Sequence, residues 1–152
     1  GKPKYSRTLI TSNGTFDTVE YSSIKSSYKF SGVLLRVLKL EFKDSTLNAY
    51  AYKSNFEEDS TDFNFDAVSE VKIGKSSESD VIKYMGLPHG KGYCPTELFD
   101  DKVECKKGYK IFMWAHTSKS QGFDLDSMKT KYAMVVFDEN GKVVDLNSLI
   151  EH

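Results

Sequence analysis

A chain of 152 residues is one domain or two very small ones, and it is long enough to bury a core. Its 39% hydrophobic and 28% charged residues are ordinary for a globular protein, and no apolar run approaches a membrane span. The net charge of −1 removes the electrostatic case for nucleic acid or an anionic membrane as partner.

Ten Phe, nine Tyr and one Trp favour sheet over helix bundle. Arg7–Ser12 reads as a first strand, Asn13-Gly14 as a tight turn, and Phe16–Ser23 as the return strand. Ser26–Ser31 is polar and weaker. Val33–Phe42 is a strong strand, with Leu38, Leu40 and Phe42 on one face and Val37, Lys39 and Glu41 on the other. After a turn at Lys43–Thr46, Leu47–Lys53 pairs back, carrying Tyr50 and Tyr52.

Asn55–Asp66 is acidic, and its spacing does not match a calcium loop. It reads as a solvated linker tacked down by Phe56, Phe63 and Phe65. A helix over Glu78–Met85 follows. Ser77 and Asp80 approximate a capping box, and Val81, Ile82 and Met85 make an apolar stripe. Gly86 suits a left-handed cap, and Pro88 stops the helix.

Leu87–Lys107 reads as a long irregular segment containing Cys94 and Cys105. The pair admits a disulfide, two free thiols or, least of all, a metal site. A disulfide is the expectation, and it implies an oxidising compartment. Tyr109–His116 is the next strand, Thr117–Lys129 a polar connection, and Lys131–Phe137 another strand. Asp138-Glu139-Asn140-Gly141 turns the chain into Lys142–Leu146.

The two halves resemble each other in order. Gly1-Lys2-Pro3 parallels Gly86-Leu87-Pro88, Thr18–Ser23 parallels Ile111–His116, and Leu38–Asp44 parallels Ala133–Glu139. The expected division is an incomplete first repeat over 1–66 and a second repeat over 67–152, together one compact unit. A helix ahead of Gly1 would complete the first. The start at Gly1 without Met reads as the interior of a longer polypeptide, and Glu151-His152 as a tag remnant.

Gly74-Lys75-Ser76-Ser77-Glu78-Ser79-Asp80-Val81, then Met85-Gly86-Leu87-Pro88, resembles the G-x-[ST]…V…LG-x-P motif of the SmpA/OmlA (BamE) small-lipoprotein superfamily. Val135–Val143 resembles that family's closing hairpin. The likeness spans Val71 to Leu146 and rests on short motifs. The β-lactamase inhibitor protein, with two such units in tandem, is a further relative by this pattern. The resemblance implies an α+β fold: a curved antiparallel sheet with a helix packed on one face. It also implies an envelope or secreted protein that binds other proteins. The chain departs from the pattern by lacking a lipidated cysteine near its start and by inserting a cysteine-bearing segment after Pro88.

Catalytic chemistry is hard to assemble. Cys94 or Cys105 beside His89 or His116 would make a thiol enzyme only if no disulfide formed. No phosphate-binding loop, zinc-protease motif or nucleophile elbow is present, so no cofactor and no metal are expected. The expected site is a protein-binding sheet face carrying Phe112, Trp114, His116, Tyr132, Tyr50 and Tyr52. The expected role is a non-catalytic binding module, secreted or periplasmic, contacting a membrane only through an N-terminal lipid anchor. An inhibitor of a secreted hydrolase such as a β-lactamase, and a small thiol enzyme, are the alternatives.

Overall fold

A computed structural model describes residues 1–27, 32–59, 61–99, 103, 105–118 and 129–151. The expectations for 28–31 and for most of the 117–129 connection lie outside these residues. Eight strands form one sheet in sequential order: β1 Tyr5–Thr11, β2 Gly14–Ser27, β3 Gly32–Lys43, β4 Thr46–Ser54, β5 Gly90–Tyr93, β6 Lys110–Thr117, β7 Thr130–Phe137 and β8 Val143–Glu151. Every adjacent pair is antiparallel. Four strands precede the helix α1, Glu78–Met85, and four follow it.

The first turn of α1 is as the sequence predicts. The Ser77 side chain accepts from the Asp80 N–H, and the Asp80 carboxylate accepts from the Ser77 N–H. Those bonds, first to the Ser77 backbone and then to its side chain, hold the Asp80 carboxyl below the usual range. The expected left-handed cap is not formed: Gly86 takes φ +87° with ψ −176°, an extended exit that glycine reaches without a Cβ penalty. Val81 and Met85 point inward and are buried. The helix is also tied at both ends. Glu78 N–H donates to Gly141 O, and Val143 N–H donates to Ser76 O. At the other end Trp114 Nε1–H donates to Gly86 O at 3.1 Å.

The sheet therefore has a helix face and an opposite face. On the helix face Val81 and Met85 pack with Phe112, Trp114, Val135, Phe137 and Val143. On the opposite face Cys94, Phe99 and Val103 cover Ile111, Met113, Met134 and Val136. Cys94 and Cys105 are joined in a disulfide with Cα atoms 5.4 Å apart, so this covering loop is stapled. Buried Glu41 pins it from below: its carboxylate accepts from the Asn48 amide at 2.8 Å and from the Glu97 N–H at 2.7 Å.

The irregular segment expected after Pro88 contains a strand, β5. Its glycines hid it, and packing explains them. A Cβ on Gly90 would lie 2.7 Å from Tyr50 O, and one on Gly92 would lie 2.7 Å from Ala49 Cβ. The acidic segment is pinned, not simply solvated. Asp59 accepts from Arg36 Nε and Nη2 at 2.6 and 2.7 Å, from Tyr52 Oη and from Ser54 Oγ. Burial pushes the Asp59 pKa up, but these three partners together outweigh it and hold it low. Phe56 and Phe63 are buried, as expected for tacking residues.

The two halves share their register. Val19 pairs with Leu40 and Tyr21 with Leu38, as Phe112 pairs with Val135 and Trp114 with Ala133. A bulge falls between Glu41 and Phe42, and another between Val136 and Phe137. Lys4 N–H donates to Glu20 O, as His89 N–H donates to Met113 O.

The disulfide closes a loop of sequence separation 11, which in the chain-entropy picture stabilises the fold by about 2–3 kcal/mol. The Cys94→Ser/Cys105→Ser variant is expected to lose that amount in urea denaturation. An unchanged midpoint would show that Glu41 and the apolar contacts hold the loop without the staple.

Candidate functional site

The opposite face is only partly covered by the stapled loop. Beyond it lies a groove of about 500 Å³. Leu35, Val37, Met113, Ala115, Tyr132 and Leu98 give it an apolar lining, and Glu20, Lys39 and Lys53 are its charged residues.

Strand register explains why a depression forms there. One row across the sheet runs Glu20, Lys39, Ala51, Gly90 and Met113. A neighbouring row runs Ala115, Tyr132 and Leu149. Ala51 and Ala115 project little from the sheet, so the larger side chains around them form walls. The two bulges add local twist to the strands on either side. Lys39 Nζ lies 3.4 Å from a Glu20 carboxylate oxygen, a half-exposed pair that orients both groups and adds little stability. Lys53 Nζ donates to Thr130 Oγ1 at 3.3 Å. A second hollow of about 160 Å³ shares Lys39 and Leu98 with the groove and extends to Tyr5, Arg7 and Leu9 on β1. The combined surface reaches from β1 to β8.

The expected site residues do not assemble on one face. Tyr132 lines the groove. Phe112 and Trp114 lie on the other side of the sheet, under α1, with 2% and 0% exposure. The reason is register: β6 pairs with β7 so that Phe112 and Trp114 share the parity of Val135 and Ala133. Their placement with Tyr132 is therefore corrected. His116 shares the helix-face parity, and its Nδ1 lies 3.3 Å from Thr61 Oγ1. Tyr50 sits at a hollow of about 200 Å³ with Leu47, Lys91 and Lys110. Tyr52 borders the groove but sends its hydroxyl to Asp59.

Sequence reasoning missed Leu35, Met113, Ala115 and Leu98 as groove residues. The alternation along Val33–Phe42 did carry a signal, since it set Val37 and Lys39 on the face away from Leu40. The thiol-enzyme alternative is corrected too, because the disulfide uses both cysteines. Among the described residues no group of three His, Cys, Asp or Glu is placed to hold a metal ion. No described helix is long and apolar enough to cross a membrane.

No family model matches the chain, and no curated protein matches it. The SmpA/OmlA resemblance thus rests on its motifs alone. Among solved structures, a "putative beta-lactamase inhibitor protein" from Streptococcus mutans is similar, with 16% identity and a TM-score of 0.47. The likeness covers 98% of this chain and 76% of that one.

His89 and His116 belong to the packing around the segment from Thr61 to Phe65. His89 Nδ1 lies 3.1 Å from both the N–H and the carbonyl oxygen of Ala115, and its ring meets Phe63 edge-on. Burial pushes both imidazoles below the ordinary histidine value; Asp62 opposes the shift at both, and Lys131 adds to it at His116. A depressed histidine pKa means that the unfolded chain takes up protons first as pH falls. Stability is then full above about pH 6.5 and is lost progressively below it. Thermal melts from pH 7.5 to 5 are expected to show a falling midpoint, and His89→Gln/His116→Gln to flatten the profile. An equally steep profile in that variant would assign the loss to other groups.

Trp114→Ala should behave as a core deletion, costing about 3–5 kcal/mol. A urea midpoint close to that of the unaltered chain would contradict its role beneath α1.

Proposed function

We propose that this chain is a non-catalytic protein-binding module of the secreted or periplasmic space. It takes a protruding segment of its partner into the groove on the face opposite α1. The groove itself carries the proposal: a preformed apolar depression continuous with a second hollow, spanning the sheet from β1 to β8. A surface of that reach suits a protein partner better than a small ligand. Lys39 and Lys53 against Glu20 make its charge net positive. The fitting partner segment therefore presents an apolar or aromatic anchor beside an acidic residue.

The disulfide supports an oxidising compartment. The shared register supports two tandem units, 1–66 and 67–152, fused into one sheet. The lipoprotein reading has support only from the SmpA/OmlA-like motifs.

Proteins captured from a secreted or periplasmic fraction would be purified and titrated singly against variants. Val37→Asp and Tyr132→Ala are expected to weaken the true partner at least ten-fold. Lys39→Glu should slow association and reduce its salt dependence, while Tyr50→Ala on the helix face leaves affinity unchanged. A partner that binds all groove variants normally would remove the groove as the site. If the partner is a hydrolase and loses activity when bound, the reading narrows to inhibitor.

A further inference from the structure

The second hollow, beside the groove, has a chemistry of its own. One row across the sheet runs Arg7, Thr18 and Glu41, and the next runs Tyr5, Glu20 and Lys39. Arg7, Thr18 and Lys39 thus share the face opposite α1 and line a hollow of about 160 Å³ with Tyr5, Leu9 and Leu98. Most charges around it are already matched. Lys39 meets Glu20 at 3.4 Å. Glu41 is buried, and its carboxylate accepts from Asn48 and from the Glu97 N–H. Arg7 differs: it is exposed and has no ion pair among the described residues, Glu97 of the same hollow included. A helix ahead of Gly1, packed as α1 packs, would lie on the other face and leave this hollow open.

We propose that this hollow is a carboxylate subsite read by Arg7. Its occupant is an acidic side chain of the partner segment whose apolar anchor fills the groove. The subsite rests on the groove reading above and gives the partner's charge a place. Lys39 and Leu98 line both hollows, so one extended segment spans them. Charge complementarity selects the occupant. Arg7 and Lys39 outnumber Glu97 in the hollow, as Lys39 and Lys53 outnumber Glu20 in the groove. An Asp or Glu side chain accepts two N–H bonds from the planar Arg7 fork, with Lys39 as second cation and the Thr18 hydroxyl as a further donor. Leu9 and Leu98 flank that pair and thin the water around it, which strengthens it. A neutral amide at the same place forfeits the charge, and a basic side chain meets two like charges. Arg7 is therefore the residue that sets specificity.

The test selects a library of random linear peptides, displayed on phage, against the full chain at low ionic strength. Enriched peptides are expected to share an aromatic or aliphatic residue and an Asp or Glu at fixed separation. One of them is then synthesised and titrated by calorimetry. Arg7→Glu should weaken it at least ten-fold, and Arg7→Lys should recover only part of the affinity. Replacing the peptide's acid by Lys should abolish binding to the unaltered chain and restore it to Arg7→Glu. Arg7 is exposed on an edge strand, so these variants keep the fold. Enriched peptides without an acid, or a charge reversal that restores nothing, would overturn the Arg7 subsite; the groove then stands if Val37→Asp still abolishes binding. Peptides that need Arg7 but bind Val37→Asp normally would remove the groove, and with it the two-part site. Failure to enrich any saturable binder would overturn the subsite and leave the groove to the titration of purified partners.

Discussion

The pairing of β6 with β7 fixes which side chains lie beneath the helix and which meet the groove. Eight residue pairs, from Lys110↔Phe137 to Thr117↔Thr130, hold this ribbon in one register. With that register Trp114 reaches the end of α1, and Met113 and Ala115 turn toward Tyr132. A slip of one residue would exchange the two faces, sending Trp114 into the groove and Met113 under the helix. Because both faces of the ribbon are packed, α1 on one and the stapled loop on the other, neither exchange is tolerated.

Burial is distributed unevenly as a result. The second half is covered on both faces, and its central strands are nearly inaccessible. The first half continues the same sheet with thinner cover, anchored at one end by Arg36, Tyr52 and Ser54 around Asp59. Among the described residues cover runs out at the groove beyond the loop on one face and at the Val19–Leu40 surface on the other. The scaffold is doubly packed in its second half, and its more open surfaces lie at the margins of that packing.

Small residues have a larger part in the groove than aromatic ones. Gly90 and Gly92 allow β5 to thread between β4 and β6, and Ala51 with Ala115 floors the depression. A search for sites that looks for aromatic clusters favours Phe112 and Trp114, which here serve the core. The residues that shape the opening are those with little side chain.

Local chemistry was legible in the sequence. The capping box at Ser77 and Asp80, a helix end at Gly86 and the cysteine pairing follow from interactions between near neighbours; the first hairpin turn falls at Ser12-Asn13, one residue before the Asn13-Gly14 pair that signals it, because Gly14 pairs with Thr11. The alternation in β3 also separated Leu40 from Lys39 correctly, since strand parity is a local property. Parity between strands joined by long segments is different. The connections that carry Cys94–Cys105 and residues 118–129 impose no short-turn register, so only tertiary packing could decide that Phe112 sides with Val135 and not with Tyr132. The same packing decided that a glycine-rich stretch becomes β5, and that Asp59 in an acidic run becomes a structural anchor. Interactions within a few residues determined the elements of this protein, and contacts between distant ones determined its surfaces.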